Sequence, residues 1–155
     1  MDSVLRMAKS FSVKLVKESP VRYSEVIGEK ITSAERIRRI AVEGLELHLQ
    51  PTESFFVITL DTKNKITGIF EVSRGTLNTS IVHPRDVFQR ALLQNANAVI
   101  LMHNHPSGDV TPSSEDISLT NRLANAGEIL GIQVLDHIIV SSEGDSLSFM
   151  EDGLM

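Results

Sequence analysis

Residues 97–116 read NAVILMHNHPSGDVTPSSED, and the predicted fold class depends on this stretch. The run NAVILM at its start is apolar almost throughout, which is typical of a β-strand buried on both faces. The loop HNHPSGDV then leads to a helix that we predict from about residue 112 to 130, ended by Gly131. A buried strand joined by a polar loop to a helix is typical of α/β domains.

The segments on either side of this stretch alternate between strand and helix patterns. In chain order we predict an edge strand over 11–18, a helix over 31–50 capped by Thr32 or Ser33, two strands within 54–73 joined by a turn at Asp61–Lys65, a helix over 83–96, and strands over 132–141 and 146–150. Such alternation predicts an α/β fold around a mixed sheet. The length of 155 residues suits one domain over 1–155.

The amino-acid composition is that of an ordinary globular protein, with 41% hydrophobic and 23% charged residues. No apolar run approaches the roughly 18 residues that span a bilayer, and the start, MDSVLRMAKSF, lacks the pattern of a secretory signal. We therefore expect a cytoplasmic protein with no membrane partner. The formal net charge of −5 argues mildly against tight binding to nucleic-acid backbones. The absence of cysteine excludes zinc sites built from thiolates, including the His/Cys/Cys site of nucleobase deaminases.

The two histidines that follow the apolar run predict a metal site. Side chains along a strand repeat their direction every two residues, so His103 and His105 point the same way if they continue the extended backbone. The C-terminal end of a buried strand is also where open α/β sheets usually place their sites. Asp116 could add an oxygen ligand, and two histidines, one carboxylate and water form a known catalytic zinc pattern. A His-x-His pair by itself is a weak signal.

Ser113 and Asp116 have two interpretations. They share a helix face, so the Ser113 hydroxyl could donate to an oxyanion formed beside the metal. The same spacing is that of a capping box. Against the capping interpretation, Thr111 and Pro112 offer another helix start, which would leave Ser113 and Asp116 free. Asp109 is a second candidate for the acidic ligand, although its position in the turn is more typical of a solvated residue.

The order His-x-His, seven residues, Ser, two residues, Asp resembles the JAMM (MPN) metalloprotease signature. More narrowly, the sequence resembles the bacterial RadC-type branch of that family over roughly residues 50–150. The resemblance is carried by FFVITLDTKNKITG, by the long stretch from SRGTLNTS to LTNRL, and by LGIQVLDHIIV. Many RadC-type proteins also have an N-terminal helix-hairpin-helix-like region. We expect a single-domain form without it, with a strand and helix over 1–50 and a motif-bearing core over 51–150.

This resemblance implies a curved mixed β-sheet flanked by helices, in a fold related to that of cytidine deaminase. It implies that one zinc ion is bound by His103, His105 and Asp116, which would lower the pKa of its water to about 7. The predicted activity is hydrolysis of a peptide, or of an isopeptide bond to a small ubiquitin-like modifier. We leave open whether the protein forms a homodimer.

The family pattern also requires a glutamate at the start of the strand that precedes the turn. Glu53 fits that position and Glu71, in the next strand, is its rival. Glu53 would accept the proton of the water and later give it to the leaving amine, while Ser113 would stabilise the oxyanion. We expect Asn104, Ser107 and the backbone at Gly108 to surround the metal ligands, and we leave open which atoms orient the imidazoles.

The remaining histidines have plainer interpretations. His137, in an apolar strand, is predicted to be a packed, hydrogen-bonded core residue, and His83 marks the start of a helix. Two other functions compete with hydrolysis: a non-enzymatic role in DNA repair, suggested by the RadC name, and a protein-interaction module. The net negative charge of the chain counts against direct DNA binding. The intact signature counts against a module that has lost its metal ligands.

Overall fold

The computed structural model describes residues 26–75 and 82–155 of the chain. In chain order it contains helix α1 (Ala34–Arg39), a π-helical turn (Ile40–Gly44), a 3-10 turn (Leu47–Leu49), strands β1 (Ser54–Leu60) and β2 (Ile66–Arg74), helix α2 (Pro84–Leu93), strand β3 (Ala98–His105), helix α3 (Ser114–Leu130), and strands β4 (Gln133–Ser141) and β5 (Ser146–Ser148). The edge strand predicted over 11–18 lies outside the described residues.

The five strands form one sheet in the order β2-β1-β3-β4-β5. Strand β3 pairs antiparallel with β1 and parallel with β4, and the two outer pairs are antiparallel. The prediction of an α/β fold with a mixed sheet is therefore confirmed. Every residue of β1 is buried, as is β3 up to its last residue, which is why both read as continuous apolar runs.

Alternate residues of the central strands contribute to two separate hydrophobic cores, one on each face of the sheet. On one face, Phe56 and Met102 pack with α1 and the π-helical turn. On the other, Phe55 and Leu101 pack with α2 and α3. Because side chains alternate along β3, the residue two positions after Leu101 belongs to the α2/α3 face.

The structure differs from the predicted elements near residues 40 and 113. The helix predicted over 31–50 starts as expected, with Ser33 as its N-cap, but its α-helical part ends at Arg39. The next turn is π-helical, and the amide of Leu45 donates to the carbonyl of Ile40 at 2.9 Å. Gly44, a poor helix former, lies at the point where the helix ends.

The loop after β3 is longer than predicted, since α3 begins at Ser114 and not near residue 112. Gly131 ends this helix, as predicted, with a φ of 71° that favours glycine. Within residues 26–75 and 82–155, no helix combines the length and the apolar character that crossing a bilayer requires.

Candidate metal centre

Strand β3 continues through both histidines and brings their rings together on the α2/α3 face. The Nε2 atoms of His103 and His105 lie 2.9 Å apart. Phe55, the register partner of His103 on β1, stacks its ring on that imidazole with a centroid distance of 6.0 Å. His103 is only 3% exposed, so the apolar core fixes one side of this ring.

Asp116 faces the same two ring nitrogens from the first turn of α3. Its Oδ1 lies 3.3 Å from Nε2 of His103, and its Oδ2 lies 3.2 Å from Nε2 of His105. The carboxylate is buried, and one ligand atom from each of the three residues lies within 4.8 Å of the others. These three side chains could therefore hold a metal ion.

Asp116 belongs to a capping box as well as to this cluster. Ser113 is the N-cap of α3: its Oγ accepts from the Asp116 amide at 3.0 Å, and Oδ2 of Asp116 accepts from the Ser113 amide at 2.8 Å. The prediction that Thr111 and Pro112 start the helix and leave Ser113 and Asp116 free is wrong, because this reciprocal pair begins the helix two residues later. Capping does not compete with metal binding here, since it holds the carboxylate towards the histidines.

The charges of the cluster favour an ionised acid and a cation. Burial opposes the charge of Asp116, but hydrogen bonds from His103 and His105 outweigh it and hold the pKa of this carboxyl far below its usual range. Burial also opposes the charge of His105, yet its hydrogen bonds with Asp116 and with the Asp109 carbonyl raise its pKa above the ordinary value. A proton and a metal ion therefore compete for the same ring nitrogen.

The far nitrogen of His105 shows which of its atoms can bind a metal. Its Nδ1 lies 2.7 Å from the backbone carbonyl of Asp109. A carbonyl only accepts, so Nδ1 carries the proton, and in the neutral ring Nε2 keeps its lone pair towards Asp116. Two imidazole nitrogens and a carboxylate form a donor set that suits Zn²⁺, so these residues fit the ion that the sequence predicts. The carboxylate of Asp109, the rival acid, is exposed.

The prediction that His137 is a packed core residue is confirmed, but its ring also contacts His103 of the metal cluster. Its Nε2 lies 2.8 Å from Nδ1 of His103, and its Nδ1 lies 2.6 Å from the hydroxyl of Thr120. The ring is fully buried, and burial together with the nearby His103 lowers its pKa well below the ordinary value. Sequence spacing did not reveal this contact. The only signal is a polar pair, Asp136-His137, inside an otherwise apolar strand.

Glu53 precedes β1 and lies on the same face as the cluster. It is two residues before Phe55, the partner of His103, so strand alternation directs its side chain to the α2/α3 face. Burial raises the pKa of Glu53, and so does the charge of Asp116, although His103 and His105 oppose that shift. A half-buried carboxyl with a raised pKa is suited to accept and return protons.

Glu71, the rival of Glu53, belongs to the other side of the sheet. Its register partner is Phe56, whose side chain packs in the core on the α1 face. The carboxylate of Glu71 also accepts from the guanidinium of Arg74, at 2.5 and 3.1 Å. Because side chains alternate along a strand, Glu53 and Glu71 therefore lie on opposite faces of the sheet.

Asn104, between the two histidines, holds the segment that carries Glu53. Its Oδ1 accepts from the Ser54 amide at 2.7 Å, and its Nδ2 donates to the carbonyls of Thr52 at 3.1 Å and Gln50 at 3.3 Å. We expected Asn104, Ser107 and Gly108 to surround the ligands and left open which atoms orient the imidazoles. The hydrogen bonds to the rings come from His137 and the Asp109 carbonyl.

A model of the RadC-like JAB domain matches residues 31–154. The chain belongs to the RadC-like JAB domain family. The predicted resemblance is thus confirmed, and the mixed α/β sheet agrees with it.

Relatives of this RadC-like JAB chain carry names that state no activity. A UPF0758 protein of Desulfitobacterium hafniense is 49% identical over 127 residues, which are 81% of this chain and 54% of that protein. One of Pelobacter propionicus is 58% identical over 103 residues, 66% of this chain and 44% of its own length. One of Trichlorobacter lovleyi is 47% identical over 155 residues, 97% of this chain and 66% of its own. The chain spans about half the length of the first two.

Proposed function

We propose that this chain is a zinc-dependent hydrolase of amide bonds, a metallopeptidase or isopeptidase of JAMM type. The observation that carries the proposal is the meeting of two Nε2 atoms and both oxygens of a buried carboxylate, with distances of 2.9 to 3.3 Å. Three protein ligands leave a fourth position for water, as catalytic zinc sites require. Glu53, on the same face, provides a proton acceptor.

In this proposal His103, His105 and Asp116 hold the ion. A bound zinc ion supplies a Lewis acid that lowers the pKa of water and polarises a carbonyl. Glu53 takes the proton of the attacking water on a carboxylate oxygen and gives it to the leaving amine when the C–N bond breaks.

Ser113 is proposed to donate its hydroxyl proton to the oxyanion. Its N-cap bond uses only a lone pair of Oγ, which accepts from the Asp116 amide. The hydroxyl proton, which in the absence of substrate can donate to the exposed Glu115 carboxylate, would turn to the oxyanion when substrate is bound. The start of α3 adds the partial positive charge of the helix terminus there. Capping and oxyanion stabilisation are compatible in this residue.

The test compares two matched variants, Glu53→Gln and Glu71→Gln, after zinc loading. A peptide library and an isopeptide-linked peptide are incubated with each protein, and products are identified by mass spectrometry. Loss of a general acid–base group lowers the rate by about 10²- to 10⁴-fold, so Glu53→Gln should lose activity at unchanged zinc content. Glu71→Gln should cleave like the wild type.

Three results would each contradict a part of this proposal or favour an alternative to it. Full zinc occupancy without cleavage of either substrate would indicate an interaction module. DNA binding that depends on salt and survives His103→Ala would favour the role in DNA repair. Equal activity in Glu53→Gln and the wild type would exclude the proposed proton acceptor.

A further inference from the structure

A buried line of hydrogen bonds connects the backbone of α3 to the ring of His103. The Thr120 hydroxyl lies 2.7 Å from the Asp116 carbonyl and 2.6 Å from Nδ1 of His137. Nε2 of His137 then lies 2.8 Å from Nδ1 of His103. None of these three side chains is more than 3% exposed, so water does not compete for the contacts.

The direction of each bond follows from the groups at the two ends. A hydroxyl has one proton, and the Asp116 carbonyl can only accept it, as is common for threonine in a helix. The Thr120 oxygen must therefore accept from His137, which places the His137 proton on Nδ1.

A neutral ring then leaves Nε2 of His137 as an acceptor. The ring packs against Phe149, with a centroid distance of 4.8 Å, and meets the edge of Phe55 at 5.5 Å. A charged imidazole between two phenyl rings would be costly, which keeps the ring neutral. The remaining partner, Nδ1 of His103, must donate.

We propose that Thr120 and His137 are positioning residues that hold the proton of His103 on Nδ1 and leave its Nε2 lone pair facing Asp116. This inference rests on the proposed zinc site and adds two residues to it. The Asp109 carbonyl does the same for His105. Two lone pairs then meet 2.9 Å apart beside a carboxylate, which is the set of unprotonated ligand atoms that a divalent cation requires.

Helix α3 thus contributes to the site twice through one residue. The carboxylate of Asp116 faces the two ring nitrogens, and its carbonyl starts the line of bonds that sets the tautomer of His103. Because groups that orient a ligand raise its affinity, removing the first donor should weaken metal binding by about 10- to 100-fold.

The test uses Thr120→Val, which removes the hydroxyl and keeps the shape, and Thr120→Ser, which retains the hydroxyl. Long-range ¹H–¹⁵N spectra of the histidine rings are recorded on the metal-free proteins at alkaline pH. Zinc affinity is measured by competition with a chromophoric chelator. In the wild type and Thr120→Ser we expect the Nδ1–H tautomer for both His103 and His137.

In Thr120→Val, His137 is expected to move its proton to Nε2, which drives the His103 proton to the nitrogen that faces Asp116. Zinc affinity should then fall by about 10- to 100-fold, while Thr120→Ser remains close to the wild type. A wild-type spectrum with the His103 proton on Nε2 would overturn the inference even if the valine variant did not fold. So would wild-type zinc affinity in a folded Thr120→Val protein. Neither readout needs hydrolysis, so failure of the proposed activity would be seen separately.

Discussion

Replacing Asp116 by asparagine separates its two roles. The asparagine amide oxygen can still accept from the Ser113 amide, and the backbone amide of residue 116 can still donate to the Ser113 hydroxyl. Both hydrogen bonds of the capping box are therefore retained. The negative charge between the two histidines is lost. Asp116→Asn should therefore keep α3 and lose the metal.

The size of the effect follows from the burial of the carboxylate. Asp116 is 2% exposed, and each of its oxygens lies 3.2 or 3.3 Å from a ring nitrogen, so little solvent screens its charge. Removing one partner of a buried charged contact costs about 3–5 kcal/mol. At about 1.4 kcal/mol for each factor of ten, the zinc dissociation constant should rise by about two to three and a half orders of magnitude.

The assay is a competition titration with a chromophoric zinc chelator, and Asp109→Asn is the matched control. Asp109 lies seven residues earlier and its exposed carboxylate accepts from the Thr111 amide, which an asparagine also permits. That variant should bind zinc within about threefold of the wild type, a difference of less than 1 kcal/mol. Circular dichroism of each protein checks that α3 remains. Wild-type zinc affinity in a folded Asp116→Asn protein would refute the metal centre.

Three further predictions concern positioning, packing and pH. Asn104→Ala removes the acceptor of the buried Ser54 amide, so the free energy of unfolding should fall by about 1–3 kcal/mol. Hydrolysis should fall more than zinc affinity, because the segment that carries Glu53 loses its hydrogen bonds to Asn104. An unchanged denaturation midpoint, or a loss of zinc affinity as large as the loss of hydrolysis, would contradict that account. Gly127→Ala should destabilise the fold in a thermal melt by about 1–3 kcal/mol, because the new Cβ would lie 2.3 Å from the Ile132 carbonyl oxygen. An unchanged melting temperature would show that α3 can shift. Zinc affinity should fall as the pH drops through the raised pKa of His105, since a proton then competes for the ring, and a flat affinity between about pH 5 and 8 would argue against His105 as a ligand.

The same pKa shifts set the pH range in which the metal-free protein is most stable. The raised pKa of His105 adds stability that is fully present below its ordinary pKa of about 6.5 and is lost as the pH rises through the folded value. The lowered pKa of Asp116 adds stability that is present above about 3.9 and is lost as the pH falls. Both contributions are complete only in the acidic range between these limits.

The parts of the site that could be predicted from the sequence are those whose residues lie in one strand or in one helical turn. His103 and His105 were placed on one face by the period of two of a strand, and the two interpretations of Ser113 both depended on one helical turn. The interval between His105 and Asp116 had no such period, so the residues alone left Asp109 as a rival acid, and the family signature decided for Asp116. The helix start was misplaced because Thr111-Pro112 and Ser113 are both good capping sequences, and the choice depends on tertiary contacts.

Contacts across the sheet could not be predicted, because they depend on register. His137 is 34 residues from His103 and reaches it through the pairing of β3 with β4, which is interrupted by an irregularity between Val99 and Ile100. The pairing of β1 with β2, which places Glu71 opposite Phe56, also contains an irregularity, between Phe55 and Phe56. A shift of one residue reverses the face of every later side chain, and sequence patterns do not reveal where such shifts occur.

The first turn of α3 explains why an aspartate suits both capping and metal binding. The amide groups at a helix N-terminus carry a partial positive charge that stabilises an anion there, and the Ser113 amide donates directly to the carboxylate of Asp116. The acid therefore stays ionised at pH values at which His105 loses its proton. Neutral imidazoles beside an ionised carboxylate are the protonation states that a divalent cation requires of its ligands. The hydrogen bonds that stabilise the helix thus prepare the ligand set, which is why a change at Ser113 or Thr120 should alter metal affinity even though neither contributes a ligand atom.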